Sequence, residues 1–399
     1  MKGKLPTVLI LIVLYFVSTG VSFAIFKYTG TGSPISSIPA PSDVNPGSGF
    51  KVDQTLPKTE ACPLNGKLYT TQEKAVWETR RPMGVMMENS TEARPHSGLS
   101  KADIVYEAVA EGGITRFMGI FYCGVAENTE FAPVRSARTY FVDWISEYAT
   151  NPLYVHVGGG NCSRDQASGK CTSDPRAQAI EQMDNYGWRG VNGNDMDQMG
   201  LNFPICYRNP DRLDHPVATE HQMVCQSELL FNEAQKRGWT NVDAKGAEWS
   251  KTFTPWKFTT EAKETDRGTV TDISMYFWKG YTDYEASWHY DSTTNHYLRS
   301  TGGKAHYDKD ASVQLSAKNV VVQFSKETGP VDEHKHLLYQ TTGTGDALFF
   351  QNGQVVEGKW SKKTRTSRTI FTDSKGKEII FVPGSIWIEI IPDGNKITY

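Results

Sequence analysis

The sequence predicts an α/β (or α+β) domain on a mixed sheet, then a mainly antiparallel β domain, the two preceded by one transmembrane helix. Three observations predict this. Met1-Lys2-Gly3-Lys4 leads into an apolar run, Leu5 to Phe26, with no charge until Lys27. Strand-like and helix-like stretches alternate from Cys62 to residue 265. From Thr269 onward, short aromatic and β-branched runs alternate with Gly, Asn and Asp.

At about 1.5 Å per residue, roughly 22 apolar residues cross a hydrocarbon core of about 30 Å. Lys2 and Lys4 favour an N-terminus in the cytoplasm, which predicts a single-pass cell-membrane protein with its C-terminal body extracytoplasmic. Ser22-Phe23-Ala24 also suits a signal peptidase, so a cleaved signal peptide is the competing reading of residues 1–27. The length of the run favours an uncleaved anchor. Residues 28–61, rich in Gly, Ser, Pro and Thr, lack the apolar content to bury a core and read as a flexible stalk.

All six cysteines (Cys62, Cys123, Cys162, Cys171, Cys206, Cys225) follow the apolar run. An even number in an exported chain predicts disulfides. Fifteen connectivities are open; short loops favour Cys162–Cys171 and Cys206–Cys225, which leaves Cys62–Cys123. Zinc is disfavoured, because no CxxC or HxxxH spacing accompanies these cysteines.

About 340 residues remain, too many for one ordinary core, so domains over 62–265 and 266–399 are expected. In the first, Met83 to Met87 reads as a buried strand. Ala102–Ala110 and Ile114–Tyr122 flank Glu111-Gly112-Gly113 as a hairpin. Tyr140, Phe141, Trp144, Ile145 and Tyr148 have helical spacing, and Leu153 to Val157 is a strand ending in three glycines. Ser227 to Arg237 reads as a helix with Ser227 as N-cap and Gly238 as its stop. In the second, Val320–Phe324, Ala347–Phe350 before Asn352-Gly353, Ile379–Val382 and Ser385–Ile391 predict a sandwich or barrel-like β domain.

The net charge of −3 argues against general affinity for nucleic acid, so an anionic partner requires a local patch. The densest one surrounds Arg94, Arg116, Arg135, Ser136 and Arg138. Arginine offers a planar fork matched to phosphate or carboxylate, and Arg135 to Arg138 lead into a helix. His221 is a candidate acid or base beside it, as is His215. Asp103 and Glu107 are candidate ligands for a divalent cation such as Mg²⁺. The plainer reading pairs Asp103, Glu107 and Glu111 with the arginines as structural salt bridges. Even spacing puts those carboxylates on one strand face if the strand runs that far. His156, inside an apolar strand, reads as a core histidine. Lys359, Lys362, Lys363, Arg365 and Arg368 beside Trp360 form either a surface for an anionic envelope polymer or a solvated hairpin. Nucleophile-elbow, Walker, HExxH and EF-hand motifs are absent.

These motifs have a family pattern. Arg81-Pro82-Met83-Gly84-Val85-Met86, Ala93 to Leu99, Ala102 to Glu107, Ala110 to Phe117 and Pro133 to Arg138 closely resemble the YerB-like family of bacterial envelope lipoproteins, domain of unknown function 3048. Asn319 to Gln323, Gly343 to Ala347 and Gly358-Lys359-Trp360 resemble its C-terminal domain, so the likeness spans roughly residues 80 to 395. It implies architecture and an envelope location, but no reaction. Family members often carry a lipobox cysteine that this chain lacks. Glu220-His221-Gln222 stands where the family tends to have Pro-His-Asn, and Asn161 to Pro175 looks like an added loop. The order Asp103, Arg116, Arg135, Arg138 is similar in kind to the LytR-CpsA-Psr envelope phosphotransferases. Three functions are therefore open: an anion binder, a metal-assisted phosphotransferase or hydrolase on lipid-linked envelope precursors, and a protein-interaction module.

Overall fold

The expected hairpin forms: Ile104–Glu111 and Ile114–Phe121 pair antiparallel across Gly112 and Gly113, whose φ angles are 57° and 82°. Only glycine, or occasionally Asn or Asp, accepts that conformation cheaply at both turn positions. The structure, a computed structural model, describes residues 50–148, 151–190, 193–243 and 246–399. The expected anchor over 1–27 and most of the stalk lie outside these residues. Among the described residues, no helix is long and apolar enough to cross a membrane.

The hairpin belongs to a ten-stranded mixed sheet. Its strands are β1 (Met83–Glu88), β2 (Ile104–Glu111), β3 (Ile114–Phe121), β4 (Leu153–His156) and β5 (Asp195–Asp197). The later half of the chain adds β6 (Asn319–Ser325), β7 (Gly343–Gln351), β8 (Gln354–Lys362), β9 (Ile370–Asp373) and β10 (Ile386–Pro392). Their spatial order is β9-β8-β7-β6-β10-β2-β3-β1-β4-β5. The halves meet where β10 runs parallel to β2, with Glu389 opposite Glu107.

The helices of the N-terminal half include α1 (Thr71–Trp77), α2 (Thr139–Ile145), α3 (Ala179–Asn185) and α4 (Ser227–Lys236). Helix α1 begins at a capping box in which Thr70 and Glu73 satisfy each other's backbone N–H groups. On one face of the sheet, Trp144 of α2 stacks on Tyr106 of β2. Ile145 lies so close over Gly84 that a Cβ there would collide with it. The other face is covered by a smaller antiparallel sheet of Lys304–Ala305, His296–Thr301, Ala286–Asp291, Asp272–Met275 and Ile397–Thr398, with Ser316–Ala317 beside the second. Its Trp288 meets Trp387 of β10 edge-on at 5.2 Å.

Several expectations change here. The described residues on both sides of the expected 265/266 boundary pack into one compact unit with a continuous core. The cause is strand pairing: the C-terminal segment completes the first sheet instead of closing a sandwich or barrel of its own. Residues 50–61, read as stalk, are anchored to the body. Val52 N–H donates to Glu127, and Glu60 pairs with Lys74 at 2.7 Å. Ser227 is the first residue of α4 and not its N-cap; its hydroxyl accepts from Thr129 N–H instead. Gly238 does end that helix, with φ 75°. The preferred disulfides form: Cys62–Cys123, Cys162–Cys171 and Cys206–Cys225.

Candidate functional site

The charged residues divide between the two faces of the sheet, and a β-bulge decides the division. Even spacing would put Glu107 and Glu111 on one face. The β2–β3 register shifts between Val109 and Glu111, and that extra residue turns Glu111 to the opposite side. Glu107 then points toward the smaller sheet. Glu111 joins the helix-covered face at the carboxyl ends of β1, β2 and β4, the edge where open α/β sheets hold ligands.

Three arginines converge there. Arg116, opposite Glu88 in register, donates to the Ser136 carbonyl at 2.8 Å and meets Glu111 at 3.3 Å. Arg138 pairs with the same Glu111 carboxylate. Arg135 lies 3.3 Å from Glu88, whose other oxygen is 2.7 Å from His221 Nδ1. Arg116 and Arg138 are buried, and burial pulls both guanidinium pKa values below their ordinary value. Arg135 keeps 28% of its side chain exposed, the most open of the three. The three guanidinium groups pair directly with two carboxylates, Glu88 and Glu111, while Glu92 stands 3.6 Å from His221 Nε2 and the charge of Asp332 also acts on Arg138. Among the described residues, the Nε atoms of Arg116 and Arg138, and the Tyr154 hydroxyl on the same strand face, are buried without a hydrogen-bond partner, whereas Nε of Arg135 is the atom that faces Glu88.

The surroundings come from distant segments. After β4 the chain turns at Gly158, with φ 58° and open space where a Cβ would stand. The loop closed by Cys162–Cys171 reaches the C-terminal half, where Thr172 hydrogen-bonds His334 and Asp174 N–H donates to Asp332. Asp332 also holds His336, whose segment bridges to Glu111. The loop that looks added in the sequence thus packs beside the arginine cluster.

Other expected residues lie elsewhere. Arg94 donates to Asn89 and to the Asp283 carbonyl and stacks on Tyr284, so its fork is engaged. Asp103 is wholly buried and accepts from Asn65 and from the Tyr122 and Cys123 N–H groups. Burial pushes its carboxyl up to about 6. Glu107, also wholly buried, is bound by Arg299 and Thr115. The two do not share a site, and neither faces the arginine cluster. The donor set expected for Mg²⁺ therefore does not fit that ion. Cys62, Asp103 and Cys123 lie close together, but the sulfurs form a disulfide. The basic run around Trp360 is largely partnered: Lys362 with Glu147, Lys359 with Asp346, Arg368 with Glu378, and Arg365 with Ser146 and the Tyr186 ring. His215 pairs with Asp214 on the surface.

His156 is the core histidine its strand implies. Nδ1 donates to the Gly158 carbonyl and Nε2 to Asp195, both at 2.7 Å, so the ring needs both protons. Burial alone would lower its pKa, but the hydrogen bond and charge of Asp195 outweigh burial and raise it. The stability from this pair is thus fully present below the unfolded value of about 6.5 and is lost as pH rises through the higher folded value. His156→Gln should cost about 2 kcal/mol at pH near 5. In paired urea titrations the gap from wild type should narrow as pH rises above about 6.5; a gap that widens would contradict the assignment.

Sequence reasoning misses Glu88 as a member of the cluster. A lone carboxylate ending an otherwise apolar strand is the signal that could have found it.

Known proteins share this architecture. A model described as the N-terminal domain of a protein of unknown function, DUF3048, matches residues 67–237, and its C-terminal counterpart matches 273–388. The chain is 30% identical over 348 residues to YerB of Bacillus subtilis (strain 168), whose name marks it as a candidate lipoprotein; the match covers 86% of this chain and 89% of that protein. A crystal structure of the YerB protein from Bacillus subtilis has a TM-score of 0.65 at 24% identity, covering 86% of this chain and all of that one. That structural likeness concerns the fold.

Proposed function

This chain belongs to the DUF3048 family, spanning its N-terminal and C-terminal domains, and from that premise we propose a membrane-tethered extracytoplasmic envelope protein that binds an anionic ligand. The ligand bears phosphate or carboxylate and docks at Arg116, Arg135, Ser136, Arg138 and His221. Its source is an envelope polymer or a lipid-linked precursor. The observation that supports the reading is the convergence of three guanidinium groups on two directly paired carboxylates at the strand ends, with Arg135 partly open to solvent. The name of the Bacillus relative supports the envelope location. With no cysteine before Cys62, the apolar run Leu5–Phe26 is the tether in place of a lipid.

The phosphotransferase reading asks Asp103 or Glu107 for a metal, and both are committed to protein donors.

Pyrophosphate titrated calorimetrically into the purified chain should bind, and Arg135→Ala should weaken it about tenfold or more, since a hydrogen bond to a charged group is worth about 1.5–3 kcal/mol. Arg135→Lys should recover part of the loss. Equal affinity in wild type and Arg135→Ala would remove the cluster from the binding site.

A further inference from the structure

A polar cavity, of about 540 Å³, lies away from the arginine cluster. Five separate segments wall it: residues 52–73, 100–102, 124–129, 296–318 and 383–385. Both halves of the chain therefore contribute. Val52 and Gln54, close to where the described residues begin, are among those that line it.

Its charge is unbalanced. Lys58, Lys67, Lys101 and Lys318 line it together with His296, against Glu73 and Glu127. Both carboxylates already have roles in the fold. Glu73 closes the capping box of α1, and Glu127 accepts from Val52 N–H. Lys318 pairs with Glu261, but Lys58, Lys67 and Lys101 form no ion pair among the described residues. Burial, and then the like charge of Lys58, hold the Lys67 ammonium below its ordinary value. Burial and the charge of Lys318 do the same to His296. Like charges gathered in a concave wall raise the local concentration of anions. The rest of the lining carries the hydroxyls of Ser100, Thr129 and Ser316, that of Ser100 without a partner among the described residues; Asn65, Asn128 and Ser385, also in the wall, donate to Asp103, Gln226 and the Ser316 carbonyl. Such groups exchange hydrogen bonds with hydroxyls, whereas a purely ionic site does not need them.

We propose that this lysine-lined cavity binds a phosphate ester of a polyol, with Lys58, Lys67 and Lys101 on the phosphate and the hydroxyls of Ser100, Thr129 and Ser316 on the alcohol groups. A sugar phosphate and a glycerophospholipid headgroup share that chemistry. The ligand is non-covalent, and the site is independent of the arginine cluster.

The test uses the purified full chain and two probes. Glucose 1-phosphate is titrated calorimetrically beside glucose and inorganic phosphate, and phosphatidylglycerol vesicles are co-sedimented beside phosphatidylcholine vesicles. We expect glucose 1-phosphate or phosphatidylglycerol to bind, with at least a tenfold loss in Lys58→Ala/Lys101→Ala and no change in Arg135→Ala. Binding should weaken as salt rises, because exposed charges are screened. Which probe binds names the source. Lys58 and Lys101 are exposed, so the double variant should fold, with circular dichroism matching wild type. Three results overturn the proposal: neither probe binds, the lysine variant binds equally, or only Arg135→Ala loses binding. The last would leave the arginine-cluster reading intact.

Discussion

Replacing Arg299 with alanine should lower the unfolding free energy by about 3–5 kcal/mol, the usual cost of stripping one partner from a buried ion pair. Arg299 is wholly inaccessible and stands between two carboxylates that strand pairing forces together: Glu107 at 2.5 Å and Glu389 at 2.8 Å. Its guanidinium also lies 4.6 Å above the Trp387 ring and 5.2 Å from that of Trp288. Two buried carboxyls with one cation cannot both ionise cheaply. Burial, then the charge of Glu107, raises the Glu389 pKa well above the carboxylate range. Its contribution is therefore fully present below the unfolded value of about 4.3 and is lost as pH rises through the folded value. Chemical denaturation of Arg299→Ala, set beside that of Arg299→Met combined with Glu107→Gln, separates the causes. The combined variant should recover much of the loss, because it removes the cation together with one of its two counter-charges. If Arg299→Ala costs under about 1 kcal/mol, the triad does not join the halves of the molecule.

Removing the Cys62–Cys123 bridge should cost about 4 kcal/mol, the loop-closure value for a separation of 61 residues. Cys162–Cys171 closes only 9 residues and should contribute about 2.5 kcal/mol. The first bridge also fastens residues 50–69 to the end of β3, where the Cys123 N–H donates to Asp103. Cys62→Ser/Cys123→Ser should therefore lower the denaturant midpoint further than Cys162→Ser/Cys171→Ser does. The opposite order would mean that the N-terminal segment holds its place without the bridge.

Much of the fold was legible along the chain. Strands near Met83, Ile104, Ile114 and Leu153, the Gly112-Gly113 turn and the bridges Cys162–Cys171 and Cys206–Cys225 follow from local signals: apolar runs, glycines where φ is positive, and short loops between cysteines; Cys62–Cys123 was only the pair these left over. The convergence of Arg116, Arg135 and Arg138 was legible too, since a hairpin and the following helix bring neighbouring segments together.

Tertiary structure decided the partners. Glu107 and Glu111 are four residues apart, and a bulge sends one to Arg299 and the other to Arg116 and Arg138. Asp103 looked like a metal ligand, yet backbone N–H groups occupy its carboxylate. The single core, joined where β10 pairs with β2 across about 280 residues of chain, has no local signature, because hydrogen bonds between parallel strands depend on who arrives alongside and not on sequence spacing. By itself the sequence determined which residues were apolar, turning, bridged or charged; only the packed chain determined which charge each one faces, since an ion buried from water must find its counter-charge across space.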